Sequence, residues 1–203
     1  MAYTGPKYDT NNQLELKQLT VYREESPVFK PVDLNLKSGQ GVQIRGVNGV
    51  GKTTLLRAIC GLCNNREGEV IWNNQPIIDL SASFYQQTLY LGHSLGLKPK
   101  LTAEQNLNFY RQLRFKADNQ LIKYALRQLN IETYYDEYIN RMSAGQKRRV
   151  ALARIISEPV PVWILDEPMV ALDHTGQDWL EKVCNQHLSC GGMLIITSHQ
   201  TIS

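Results

Sequence analysis

The sequence predicts an α/β fold: a core of mainly parallel strands, an antiparallel strand region at the N-terminal end, and an inserted helical subdomain. Three observations predict it. Residues 46–53 form a glycine-rich turn set between a short strand pattern and a helical one. Residues 160–165 and 193–197 are apolar with no polar alternation, which marks strands covered on both faces. Between that turn and those strands, residues 102–157 carry no strand signal and adopt a helical period.

Taken in order, residues 1–13 are polar, with Gly5, Pro6, Asn11 and Asn12 and no hydrophobic period, and read as a flexible arm or an edge segment. Leu14, Leu16 and residues 19–22 give a first strand, and residues 32–36 alternate apolar with polar as a half-buried strand does. Glu24-Glu25-Ser26-Pro27 between them reads as a hairpin turn. Val42 and Ile44 make a short strand into the glycine-rich turn, residues 53–59 a helix stopped near Gly61, and residues 69–72 and 89–91 further strands. In the middle, Leu107, Tyr110 and Leu113 recur three apart, and Ile122, Leu126 and Leu129 continue the pattern. A helix over about 176–188 links the two apolar strands, as a parallel crossover requires. The expected organisation is an arm of 1–13 and one domain of 14–203, with core segments 14–95 and 158–203 and a helical subdomain of about 96–157.

The longest apolar runs have the length of buried strands, far below the ~18 residues of a membrane span. Lys plus Arg number 22 against 19 Asp plus Glu, a net +3 that is too weak and too mixed to argue for nucleic acid. The first residues lack a basic-then-apolar leader pattern, so the expected compartment is cytosolic and the four cysteines are expected as thiols.

Gly46-Val47-Asn48-Gly49-Val50-Gly51-Lys52-Thr53 fits GxxxxGK[ST] between a strand and a helix. Glycines let the backbone turn so that successive N–H groups aim at one anion, and the helix N-terminus adds its dipole. Lys52 then reaches the β- and γ-phosphates of a nucleotide, Thr53 offers a hydroxyl to Mg²⁺, and Thr54 is counted among the nucleotide-binding residues. Residues 162–165 run into Asp166-Glu167 at a strand's carboxyl end, where α/β sheets bind ligands. Asp166 is placed to hold Mg²⁺, largely through water, and Glu167 to act as general base on the attacking water. The bland alternative is a solvated strand end before a Pro168 turn. His199 follows the second apolar strand and is either a γ-phosphate partner or structural. Met142-Ser143-Ala144-Gly145-Gln146 opens a long helical stretch with capping-box spacing between Ser143 and Gln146.

Together these motifs, followed by Ala171-Leu172-Asp173 and His199 in that order, make the chain resemble ABC-type ATPases over residues 14–200. The resemblance implies a P-loop NTPase (RecA-like) core, ATP and Mg²⁺ as cofactors, and a head-to-tail homodimer with two ATPs between subunits. Ser143, Gly145 and Gln146 of one subunit would face the γ-phosphate held by Lys52 of the other. Asp173 belongs to a D-loop along the seam, and His199 orients the γ-phosphate. Val42-Gln43-Ile44, Leu91-Gly92-His93, residues 101–107 and the alanine at 144 look more narrowly like the ATP-binding subunit of haem-exporter-type transporters of cytochrome c maturation. That implies integral membrane partner subunits, docking around residues 93–102, a place at the cytoplasmic face of a bacterial inner membrane, and haem met only through those partners. The rival readings are the ATPase of another small-substrate transporter, a soluble ABC ATPase and a nucleotide-gated scaffold.

The sequence departs from the family in places. Where family members carry a glutamine after the strand at 89–91, this chain has His93-Ser94, which leaves either a lost Mg²⁺ contact or Ser94 acting through water. The adenine platform falls on Arg23 or its neighbour Tyr22, which point to opposite faces of a strand. Cys60-Gly61-Leu62-Cys63 has no second pair at metal-ligand spacing, so the cysteines read as packing residues. Tyr134, Tyr135 and Tyr138 read equally as core or as a partner surface.

Overall fold

The computed structural model describes residues 5–80 and 82–198, so His199 lies outside it. From the N-terminal side come β1 (Gln13–Arg23), β2 (Ser26–Pro27), β3 (Val32–Lys37) and β4 (Gly41–Ile44), then α1 (Lys52–Ile59) and β5 (Arg66–Trp72). The short elements β6 (Gln75–Pro76), α2 (Ile77–Leu80) and α3 (Ala82–Gln86) lead to β7 (Thr88–Leu91). Helices α4 (Ala103–Gln112), α5 (Asn119–Gln128) and α6 (Ala144–Ser157) follow, and then β8 (Val162–Leu165), α7 (His174–Ser189) and β9 (Met193–Thr197).

The strands form two sheets. One is antiparallel, in the order β2-β1-β5-β6 with β3 also on β1; the other is parallel, in the order β4-β9-β8-β7. Every residue of β8 and β9 is buried, which explains their unbroken apolar sequence. Val162 and Ile164 pack into the cluster under the antiparallel strands and α1, while Trp163 and Leu165 pack into the cluster shared with α4, α5 and α6.

In β1 the inward-facing leucines change parity, from Leu14 and Leu16 to Leu19 and Val21. A register shift between Leu16 and Leu19 takes up the odd residue, with Gln18 in the left-handed region (φ 47°). The opposing strand meets this bulge with Gly68 (φ 80°), where a Cβ would lie 2.3 Å from the Gln18 carbonyl oxygen. The hairpin turn is tighter than the four residues expected. Glu24 and Glu25 make it alone, Glu24 at φ 57°, while Ser26 and Pro27 pair back with Arg23 and Tyr22. Helix α7 begins two residues before the expected start because the Asp173 carboxylate accepts the Gly176 N–H at 2.9 Å and caps it.

At its far end α6 is tied to the core by ions. Glu158 is fully buried and accepts from Arg154 Nε (2.5 Å) and from Arg114. Arg114 also donates to the carbonyls of Tyr85 (3.0 Å) and Thr88 (2.7 Å), at the entrance to β7. Residues 5–12 are tied down as well: the Tyr8 N–H donates to the Cys190 carbonyl at 2.9 Å. The Tyr8 ring meets His187 edge-on at 5.1 Å, and His187 stacks on Trp163 at 3.6 Å between centroids. His187 Nε2 lies 3.1 and 3.2 Å from the Pro161 and Met193 carbonyls, as a shared N–H donor would. Burial lowers its pKa to about 4, although both carbonyls oppose that shift. Cys60 and Cys184 are buried, and burial raises both thiols, that of Cys184 to about 12. Among the described residues no helix is long and apolar enough to cross a membrane.

Candidate active site

The parallel sheet delivers three strand ends to one place. β4 runs into the glycine-rich turn, β8 runs into Asp166, and β9 ends with Thr197. The turn enters α1 through Gly51, whose φ of 99° suits glycine and whose Cβ would lie 2.9 Å from Val28 Cγ1 and 3.0 Å from Phe29 Cδ1. The backbone can therefore pass close under the β2–β3 connection only without a side chain there.

Lys52 is buried along its stem, 7% exposed. Its ammonium donates to the carbonyls of Gly46 (2.8 Å) and Val47 (3.3 Å) and lies 3.6 Å from Glu167 Oε1. The Thr53 hydroxyl donates to Asp166 Oδ2 at 2.7 Å. The Thr197 hydroxyl donates to the other oxygen, Asp166 Oδ1, at 2.8 Å, and accepts the Glu167 N–H at 2.8 Å. Asp166 is 1% exposed, and each of its oxygens is held by one of these bonds. Glu167 itself sits in the left-handed region at φ 48°, a conformation that costs a non-glycine residue on the order of 1 kcal/mol. Tyr90 lies close by; burial first and the Asp166 charge second push its phenol up to about 12, so it stays neutral.

In front of these groups lies a cleft of about 690 Å³, lined by Arg23 and residues 26–28 on one wall and by Asn48, Gly49 and residues 51–54 on the floor. His93 and Glu167 close it. A cleft of this size, with a lysine, amides of a helix N-terminus and two hydroxyl or carboxylate oxygens, suits a polyphosphate and a divalent cation. Thr53 and Asp166 fit Mg²⁺: both are hard oxygen donors, and they are 2.7 Å apart.

The sequence-designated residues fall into three groups. Arg23, Asn48, Gly49, Gly51, Lys52, Thr53, Thr54 and Glu167 line the cleft, Asp166 stands behind Thr53, and Gly46 and Val47 offer carbonyls to Lys52. Val50 is exposed on the turn, 45% accessible, and its Cγ1 covers Gly46. Tyr22, by contrast, faces Glu67, whose charge and hydrogen bond raise its phenol, so Arg23 is the member of that pair beside the cleft.

The second group opens α6. The Ser143 side chain accepts from the Gln146 N–H (3.2 Å) and Gln146 Oε1 accepts from the Ser143 N–H (2.7 Å), a complete capping box. A Cβ on Gly145 would meet the Ala171 carbonyl at an ordinary 3.6 Å, so packing within the chain does not demand glycine there. The third group is Asp173, which caps α7 and pairs with Arg149 at 2.6 Å. The Gly176 N–H, followed by the smaller effect of Arg149, lowers its carboxyl pKa.

Of the His93-Ser94 pair that stands where family members carry glutamine, His93 lines the cleft and Ser94 is exposed. Two residues of the site were not singled out from sequence: Thr197, which bridges Asp166 to Glu167, and Arg148, which packs behind the Asp166–Pro168 turn. The position of Thr197 at the end of an apolar strand was the available signal for it.

Comparison with known proteins shows the family. The family model described as ABC transporter matches residues 29–170. A cytochrome c biogenesis ATP-binding export protein, CcmA, of Yersinia pestis is 42% identical over 189 residues, 93% of this chain and 87% of that protein. The protein of the same name from Escherichia coli K12 is 42% identical over 190 residues, 94% and 90% of the two chains. Among solved structures, a dimeric ABC transporter cassette, MJ0796, aligns with a TM-score of 0.82 at 26% identity, over 92% of this chain and 88% of that one. A post-hydrolysis dimer of that cassette bound to ADP and phosphate aligns with a TM-score of 0.81 at 27% identity over the same shares.

Proposed function

The chain belongs to the ABC transporter family, and from that premise we propose that it is the ATP-binding and ATP-hydrolysing subunit of a transporter complex for cytochrome c biogenesis. Its work there is haem export or the release of a haem-loaded partner. The observation that carries the ATPase reading is the chain of bonds Thr53–Asp166–Thr197–Glu167 standing beside Lys52 in one cleft. The relatives named CcmA carry the biogenesis reading.

Each residue then has a task. The amides of the glycine-rich turn and Lys52 hold the phosphates, and Arg23 stacks on the base. Thr53 and Asp166 hold Mg²⁺, which when bound neutralises charge on the phosphates. Glu167 takes a proton from the attacking water, and His199 orients the γ-phosphate. The turn residues are useful because their donors are fixed before the substrate arrives.

Two copies assemble head to tail. The α6 N-terminus, with Ser143, Gly145 and Gln146, adds N–H donors and a positive dipole end to the γ-phosphate in the partner's cleft. Integral subunits carry the membrane part, and this subunit sits at the cytoplasmic face of the inner membrane. The docking surface lies around residues 93–102 and the following helices.

Glu167→Gln tests the reading. ATP turnover is expected to fall at least about 100-fold while nucleotide binding and ATP-dependent dimerisation persist; unchanged turnover would remove Glu167 as the base. Isolation of the intact complex tests the biogenesis part. Recovery with integral subunits and haem supports it, and recovery with permease subunits of unrelated cargo rejects it.

A further inference from the structure

Arg148 has no task in the hydrolysis scheme above, yet three hydrogen bonds join it to the turn that presents Glu167. It lies on α6, five residues past Ser143, and is 8% exposed. Its guanidinium donates to three successive main-chain carbonyls: Nη2 to Asp166 (3.3 Å) and to Glu167, and Nε to Pro168 (3.3 Å). Placing a guanidinium there carries a desolvation penalty, and burial lowers its affinity for the proton. A planar fork with several fixed donors can hold consecutive carbonyls in one arrangement, which a flexible ammonium cannot.

The arrangement being held is the unusual one. Glu167 stands at φ 48°, a conformation that persists only where its surroundings fix it. The Thr197 hydroxyl on β9 accepts the Glu167 N–H, and Arg148 on α6 donates to the Glu167 carbonyl. The peptide groups before and after the carboxylate-bearing residue are thus clamped from two different elements. Arg148 also lines a small cavity together with Leu91, Gly92 and Leu95, next to His93 in sequence.

We infer that Arg148 is a positioning residue for Glu167, and that it joins the signature end of α6 to the hydrolytic end of the same subunit. The inference rests on the ATPase reading. In the head-to-tail dimer, Ser143 of a subunit meets the nucleotide in the partner's cleft, while Glu167 of that subunit serves the nucleotide in its own. Ser143 and Arg148 are separated by about 7.5 Å of continuous helix. Occupancy of the distant nucleotide site therefore bears on the local base through one rigid segment, and the two hydrolytic sites become coupled.

The test compares the full wild-type chain with Arg148→Gln and Arg148→Lys. It measures steady-state ATP hydrolysis, binding of a fluorescent ATP analogue, and thermal unfolding. In Arg148→Gln we expect kcat to fall about tenfold or more, KM and analogue affinity to stay within about twofold, and the Hill coefficient for ATP to move toward one. Arg148→Lys should recover part of kcat, since it keeps charge without the fork. Wild-type kcat and cooperativity in a folded Arg148→Gln would overturn the inference. So would a parallel loss of kcat, analogue affinity and Tm in both variants, which marks a purely structural role. Should Arg148→Gln not fold, Arg148→Lys decides, and wild-type kcat there overturns the inference. A wild-type chain that binds the analogue without hydrolysing ATP removes the ATPase reading itself, an outcome read before any variant is compared.

Discussion

At the carboxyl ends of the parallel strands, side chains from positions 53, 166 and 197 hydrogen-bond to one another across 113 and 31 residues of sequence. At the start of α6, Ser143 and Gln146 spend their side-chain bonds on their own helix, and the backbone beside Gly145 stays open. The first region is organised entirely within one subunit. The second has a polar edge whose side-chain bonds are local to one helix. The difference is that the cleft side chains are joined to one another across the fold, whereas the α6 end is a rigid local cap; in the dimer proposed above, the first half holds substrate and the second closes on it.

Lys52→Ala should disturb the substrate-holding half most. Removing the cation aimed at the phosphates is expected to lower turnover about 10³-fold. A steady-state ATPase assay checks it, and turnover near wild type would dissolve the contrast between the two halves. Next comes acid. All four histidines, at 93, 174, 187 and 199, lie outside 96–157, and His187 supports β8 through Trp163. Its folded pKa of about 4 lies below the ordinary 6.5, so the unfolded chain binds this proton first as pH falls. The stabilisation is therefore fully present above pH 6.5 and is lost between pH 6.5 and about 4, an expected loss of about 3 kcal/mol. Urea unfolding across that range should show the slope in wild type and a flatter one in His187→Phe.

Thr197→Val keeps the shape of the bridge and removes its hydroxyl, and with it the bonds to the Glu167 N–H and to Asp166 Oδ1. A loss of about 2 kcal/mol in denaturant unfolding is expected, and a value within error of zero would mean the bridge is incidental. Ser143→Ala is the smallest change. Losing the cap should cost about 1 kcal/mol and lower Tm by about 2–4 °C, while leaving ATP binding to the monomer unaltered. Weaker ATP binding to the monomer would show that the two halves are not separate within one chain.

The same contrast governs what could be read from the sequence. The parallel strands were legible because burial on both faces forbids polar alternation, and Lys52, Thr53, Asp166 and Glu167 because phosphate chemistry fixes their spacing and their place at strand ends. Ser143 and Gln146 were legible as a cap because a capping box is local. Thr197 was not, since the use of its hydroxyl depends on how β9 registers with β8, Ile196 opposite Leu165. The bulge at Gln18 needs Gly68 on another strand. The docking of Tyr8 against His187 is a single aromatic contact in a polar segment and leaves no periodic trace. Arg148 reads in sequence as one more basic residue on a helix, because its three acceptors are main-chain atoms twenty residues away.

The ionic knot of Arg154, Glu158 and Arg114 has a consequence for how the molecule can move. It pins one end of α6 to the entrance of β7, and the whole helix is 14 residues long, about 21 Å. Toward its other end Arg148 and Arg149 join the same helix to the Asp166–Pro168 turn and to Asp173. A rod held at two stations does not swing; it carries the Ser143 tip as a stiff extension of the core.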